Sequence, residues 1–290
     1  MRGYLIMTDS CCDLDAELAA QLDLTVLPLN LQMGGETYRN FLDERELSLK
    51  EFYARVRNGE RATTSAPSAG AFEDAMRQAA AAEKDVLCLC FSSALSATFQ
   101  SASIAAEHVR ADHPQMRIEV VDTLCASGGQ GLLLYLCAEE KRRGRDLDQV
   151  LAFARETMGQ VCHWFTVDDL NHLKRGGRVS AATALFGTML AIKPVLHVDE
   201  GGRLIAMGKA RGRRASLLAL VDHMEETAID PENQTVFLTH GDCLEDAQLV
   251  AEEIRRRFGT RDIRISFIGP VVGNHAGPGT VALFFLGRPR

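Results

Sequence analysis

The chain has 290 residues, 46% of them hydrophobic, and a formal net charge of −7. That length and apolar content can fill one large core or two ordinary ones, and the acidic balance argues against a general nucleic-acid binder, whose phosphate contacts need a basic surface. No apolar run approaches the roughly 20 residues that span a bilayer, and the run at 4–7 is too short for the core of a secretion signal, so a cytoplasmic protein without a transmembrane segment is expected.

The first half alternates strand-like and helix-like runs, the pattern of a parallel sheet covered on both faces. Strands are predicted at 4–7, 25–29, 86–91 and 118–121. Helices are predicted where apolar residues recur at helical spacing, as at Phe72, Ala75, Met76, Ala79 and Ala80, or Leu147, Val150, Leu151, Ala154 and Met158. Gly34-Gly35 predicts a small hairpin between 32 and 39, and the charged run 43–46 reads as a solvated face. The eight cysteines form no CxxC pair and no zinc-like Cys/His spacing, so no metal is expected. Cys88 and Cys90 read as buried small hydrophobes in a reducing compartment, and Cys11-Cys12 follows a strand.

Several helices are expected to begin with hydroxyl residues. Asp9-Ser10-Cys11-Cys12-Asp13, Ser92-Ser93-Ala94-Leu95-Ser96, Ser127-Gly128-Gly129-Gln130 and Thr63-Thr64-Ser65-Ala66-Pro67 each read as an N-cap, with Pro67 fitting a first helical position. In an open parallel sheet the strand C-terminal ends share one edge, so helix N-termini gather there with their positive dipole ends. An anionic ligand is the chemistry such an edge favours.

The texture changes after about residue 159. A strand-like run at 162–167 is followed by a helix-like segment at 168–180, an apolar stretch at 184–196 and a hairpin around Glu200-Gly201-Gly202. Helices at 215–226 and 245–258 then alternate with strands at 235–239, 263–268 and 281–286. The fold class expected is α/β: an N-terminal parallel-sheet α/β domain over 1–160 and a C-terminal α+β domain with a mixed sheet over 161–290. No Pro-, Gly- or Ser-rich linker separates them, so the halves are expected to pack closely around a cleft.

Near the end, residues 268–279 carry four glycines, two prolines and His275. Glycine permits positive φ and close approach of a ligand, and proline restricts itself and its predecessor, so a shaped loop presenting one imidazole is predicted. Catalysis, metal binding and a plain structural turn all remain open for it at this point. Gly202 and Gly208-Lys209 do not meet Walker A spacing, Gly128-Gly129-Gln130-Gly131 does not extend to GxGxxG, and Ser10, Ser93, His240 and His275 have no G-x-S-x-G elbow among them. Lys174, Arg175 and Arg178, with Lys209, Arg211, Arg213 and Arg214, form either a salt-bridged surface or a docking patch for an acidic partner.

Seven ordered stretches resemble the DegV family of bacterial fatty-acid-binding proteins, which includes the FakB subunit of fatty acid kinase. They are Thr8-Asp9-Ser10 with Asp13-Leu14, Thr64-Ser65-Ala66-Pro67-Ser68, Ser92 to Thr98, Gln130-Gly131-Leu132, Leu173 to Ser180, Ile192-Lys193-Pro194 and the 268–279 segment. Departures are Ala97 where the family usually has Gly, Ala276 where Thr is common, and Cys11-Cys12 where small hydroxyl residues are common. The resemblance implies two α/β domains with a long-chain fatty acid between them and no other cofactor. It implies a carboxylate held by Thr64, Ser93 and His275, with Ser65 and Ser96 as neighbours, and tail-lining residues in 185–196. It further implies a separate ATP-binding kinase subunit that phosphorylates the bound acid; the basic residues Lys174, Arg175, Arg178, Arg211 and Arg213 are the docking surface expected for such a partner. A lipid hydrolase or small-molecule transferase using Ser93 with His275 is the alternative.

Overall fold

The computed structural model describes residues 2–179 and 192–289. The chain opens with β1 (Tyr4–Asp9), α1 (Ala16–Gln21) and β2 (Leu24–Leu27), then β3 (Asn30–Met33), β4 (Glu36–Arg39), α2 (Leu49–Arg57) and β5 (Ala62–Ser65). Next come α3 (Ala69–Ala81), β6 (Asp85–Cys90), α4 (Thr98–Asp112), β7 (Ile118–Asp122), α5 (Gly128–Arg142) and α6 (Leu147–Thr157). The second half runs β8 (Val161–Thr166), α7 (Asn171–Gly176), β9 (Ile192–Val198), β10 (Leu204–Arg211), α8 (Arg213–Thr227), β11 (Val236–His240), α9 (Leu244–Phe258), β12 (Ile263–Phe267), α10 (Pro270–Ala276) and β13 (Val281–Leu286).

Three sheets are formed among the described residues. A four-stranded parallel sheet has the order β2-β1-β6-β7. Its central strands are near-continuous apolar runs because helices cover both faces: Cys88 and Cys90 are buried with Phe72, Met76 and Ala105 beneath α3 and α4. The six-stranded sheet, β10-β9-β8-β13-β11-β12, is antiparallel except for the β11–β12 pair, which is the mixed sheet expected of the second half. The small antiparallel sheet β4-β3-β5 contains the predicted hairpin, whose Gly34 and Gly35 take φ of 62° and 84° as a two-residue I′ turn requires.

The main core crosses the middle of the chain. Ile6, Leu89, Leu132 and Leu133 pack in one cluster with Phe165, Leu196, Phe237 and Phe284. Helix α5 makes the join. Gln130 Nε2 donates to Thr8 Oγ1 (2.9 Å) and Asp9 Oδ2 (3.0 Å) at the parallel sheet, while Gly128 and Gly129 lie against Thr239, Phe284 and His163 of the mixed sheet. The glycines weighed as a phosphate loop therefore serve close packing.

Four local expectations need correction. Residues 62–65 form β5, and Ser68, not Pro67, precedes the next helix, its Oγ accepting from Ala71 N. The helix-like segment 168–180 contains only the six residues of α7 within its described part. The 268–279 loop contains α10, with Gly269 as N-cap and Pro270 in the first turn, where its missing N–H costs nothing. Ser92 and Ser127 make no capping bond: α4 starts after Ala97, and both hydroxyls are used for tertiary contacts instead. Ser180 and residues 185–191 of the expected tail-lining stretch lie outside the described residues. Among the described residues no helix is long and apolar enough to cross a membrane.

Candidate functional site

A cavity of about 320 Å³ lies where the two larger sheets meet. Its walls come from the ends of elements that the sheets bring to one edge: Cys11 after β1, Ser96 before α4, Ser127 before α5, Leu173 on α7, and Val198 and Leu204 on the two strands of the β9–β10 hairpin. Val271, Val272 and His275 of α10 close one side, and Phe165, Ala282 and Phe284 of the mixed sheet form another. The hairpin is fastened across the junction by Ser92 Oγ, which donates to Gly202 O at 2.9 Å.

One set of cavity-lining polar groups gathers around His275. Its Nε2 lies 2.8 Å from Thr64 Oγ1, and its Nδ1 is buried against Gly176 with no hydrogen-bond partner among the described residues. Burial first, and the neighbouring Arg178 second, push the imidazole pKa down to about 4, so the ring is neutral at pH 7. The neutral ring carries one N–H, so the direction of the Thr64–Nε2 bond follows the tautomer. With the hydrogen on Nε2, the Thr64 hydroxyl is left to donate to a ligand. Ser65 and Ser96 line the same cavity, as does Arg178, whose Nε donates to Leu95 O at 3.3 Å.

Elsewhere the polar groups face away from the space they border. Ser127 Oγ donates to Asp13 Oδ2 at 2.5 Å. His163 Nδ1–H donates to Val161 O at 2.8 Å, and its Nε2 accepts from Ala126 N at 3.1 Å. Burial, reinforced by Asp9 and Asp13, raises the Cys11 thiol well above its ordinary value, so it lines the wall as neutral S–H. The cavity thus presents hydroxyls, an imidazole and a guanidinium at one place and largely apolar surface over the rest. Such a site suits an amphipathic ligand with an acidic head.

The structure brings Thr64, Ser65, Ser96 and His275 together at this cavity, but not Ser93. That residue is exposed, its amide donates to Asp122 Oδ1 at 3.0 Å, and it is not among the lining residues. None of residues 192–196 lines the cavity either; Val198 does. Of the other serine and histidine candidates, Ser10 Oγ accepts from Leu29 N and His240 Nδ1 accepts from Cys243 N, both structural roles. Lys174, Arg175 and Arg211 are exposed. Arg213 is half-buried and paired with Asp246 at 2.7 Å. Sequence reasoning missed Leu173 and the cavity-facing role of Arg178, although both sit in the Leu173-Lys174-Arg175-Gly176-Gly177-Arg178 stretch that it singled out.

Fold and site together define an α/β binding protein whose two larger sheets meet at an apolar cavity with a polar corner. The chain belongs to the DegV family: a profile described as "Uncharacterised protein, DegV family" matches residues 4–288. A DegV domain-containing protein of Clostridium perfringens is 41% identical over 287 residues, covering 99% of this chain and 98% of its own length. The fold is shared with a DegV family protein from Thermus thermophilus described as binding fatty acid, at TM-score 0.88 and 31% identity over 99% of this chain and 100% of that one. It is shared also with DegV, a fatty acid binding protein from Bacillus subtilis, at TM-score 0.86 and 28% identity over 99% and 100% of the two chains.

Proposed function

We propose that the cavity holds a long-chain fatty acid, its carboxylate against Thr64, Ser96 and His275 with Ser65 nearby, its acyl tail along Phe165, Ala282 and Phe284. Residues 1–160 and 161–290 act as the two halves that enclose it. The observation that carries this reading is the Thr64–His275 pair set into an otherwise apolar cavity; the fatty-acid binding described for the two solved relatives supports it. Ser93 is left out of the set because of its exposure. Burying an alkyl chain yields roughly 0.8 kcal/mol per methylene, so a sixteen-carbon acid gains on the order of 11 kcal/mol before association costs. The tail supplies affinity, and the head-group bonds offset desolvation of the carboxylate and fix which end faces out.

The bound acid is then presented to a separate ATP-dependent kinase subunit, which forms the acyl phosphate. Exposed Lys174, Arg175 and Arg211, with Arg178 at the polar corner, supply the basic docking surface, and Arg213 is held back by Asp246. The hydrolase alternative loses its geometry, because Ser93 is outside the cavity and His275 is engaged with Thr64. Mass spectrometry of a lipid extract from natively purified protein should recover free fatty acid; its absence would sink the reading. His275→Ala is expected to reduce phosphorylation by a cognate kinase more than lipid uptake, and equal phosphorylation would refute the assigned head group.

Loading also changes the imidazole. A carboxylate beside His275 favours the charged ring, so the titration near pH 4 of the free protein is expected to move upward on fatty-acid binding. NMR titration of the ring resonances reads this directly. An unmoved midpoint would place the carboxylate elsewhere.

A further inference from the structure

Helix α10 carries the imidazole but spans only seven residues, so its position is fixed from outside. Its N-cap, Gly269, donates its N–H to Asp13 Oδ1 at 2.9 Å. Asp13 Oδ2 accepts from Ser127 Oγ at the cavity wall, and the Asp13 carbonyl accepts from Ser266 Oγ at 2.9 Å. Asp13 is 3% exposed and holds φ of 51°, uncommon for a residue with a side chain. One buried residue following β1 thus ties the start of α5 to the connection between β12 and α10.

We propose that Asp13 is a positioning residue for the carboxylate site: its side chain fastens the N-terminal end of α10, and hence the placement of His275 against Thr64, to the cavity wall at Ser127. This rests on the fatty-acid reading above. His275 lies six positions beyond Gly269, a rise of about 9 Å, so a tilt at the cap is carried to the imidazole. Hydrogen-bonded recognition needs placement within about 0.5 Å, whereas the contacts of Val271 and Val272 with an alkyl tail are not directional. Loss of the anchor therefore falls on acid recognition first.

The groups around Asp13 are Asp9, Cys11 and Cys12 on its own turn, Ser127 at the start of α5, itself 3.2 Å from Thr239 of β11, Tyr53 of α2, and Tyr38, Arg39 and Glu44, which line a small cleft with it. Burial raises its pKa to about 8, against the lowering effect of the bonds from Ser127 and Gly269. When protonated, Asp13 donates to Ser127 Oγ, which turns its own hydrogen toward Thr239 Oγ1 at 3.2 Å; the Gly269 N–H stays satisfied in both states. A raised pKa adds stability that is complete below the unfolded value of 3.8 and is lost as pH rises through about 8. Asparagine reproduces the protonated arrangement, with Nδ2 toward Ser127 and Oδ1 toward Gly269, and does not titrate.

The test compares palmitate with methyl palmitate, which shares the tail and lacks the acid. Asp13→Ala is expected to lose about tenfold or more of the wild-type preference for the acid, with ester binding held within about threefold. Asp13→Asn should keep the preference within about threefold and flatten the decline of melting temperature between about pH 4 and 8. Ser127→Ala, which breaks one link, should lose about threefold of the preference and decides the matter if Asp13→Ala does not fold. An unchanged acid-to-ester ratio in Asp13→Ala, or in Ser127→Ala if that variant must decide, equal loss of both ligands, or an Asp13→Asn protein as impaired as Asp13→Ala overturns the role of Asp13. A wild-type protein without acid preference overturns the fatty-acid reading instead.

Discussion

Gly129→Ala is expected to destabilise the fold by about 3 kcal/mol, the upper part of the range for overpacking a close-packed interior. A methyl group there would penetrate the imidazole of His163, standing 2.5 Å from Cδ2. The ring has little freedom to yield. It is 1% exposed, held at Nδ1 by Val161 O and at Nε2 by Ala126 N, and packed edge-on against Phe284 at 5.4 Å. Moving the helix is no cheaper, because a Cβ at Gly131 would itself stand 2.6 Å from Cys12 O, so the backbones are already close there, and Gln130 is bonded to the parallel sheet. Gly159→Ala is the control: nothing lies within 4 Å of its added Cβ, and its cost should stay within about 0.5 kcal/mol. Denaturant unfolding of both proteins measures the difference, and equal stabilities would mean that α5 does not nest against β8 as described.

The same region shows what could be read from residues alone. Strand-like apolar runs placed the four strands of the parallel sheet and β8, β11, β12 and β13 of the mixed sheet, while β9 was read only as part of an apolar stretch; Gly34-Gly35 located the hairpin, because each signal is local: a pleat, a helical stripe, a pair of residues tolerant of positive φ. The polar corner was half legible. The family resemblance pointed to Thr64 and His275, which the structure pairs, but in Ser92-Ser93-Ala94-Leu95-Ser96 the residue that reaches the cavity depends on the path of the turn. There Ser92 Oγ fastens the β9–β10 hairpin, Ser93 faces solvent and Ser96 lines the space. Helix α10 was masked by its own composition, since glycine and proline argue against a helix until Gly269 is seen as the cap and Pro270 as the first turn. Asp13 and Ser127 read as capping residues because such residues usually satisfy nearby amides. Only tertiary structure shows them bonded to each other across 114 positions.

Ala282→Phe is expected to weaken binding of a sixteen-carbon acid by about 200-fold, the equivalent of roughly four methylenes denied burial at about 0.8 kcal/mol each. Ala282 sits in β13, opposite Phe165 of β8, is 5% exposed and lines the cavity. A larger ring there has open space to enter, so the fold should lose no more than about 1.5 kcal/mol. Short acids should be affected far less than long ones, because the ring takes space from the tail and leaves Thr64, Ser96 and His275 untouched. For the same reason the preference for acid over methyl ester should survive. His275→Ala should do the reverse, lowering that preference while sparing the dependence on chain length. Calorimetric affinities for a series of acids and their esters separate the two outcomes. A variant that binds the sixteen-carbon acid as tightly as the parent would show that the tail does not run past β13, and the apolar wall formed by Phe165 and Phe284 would need another occupant.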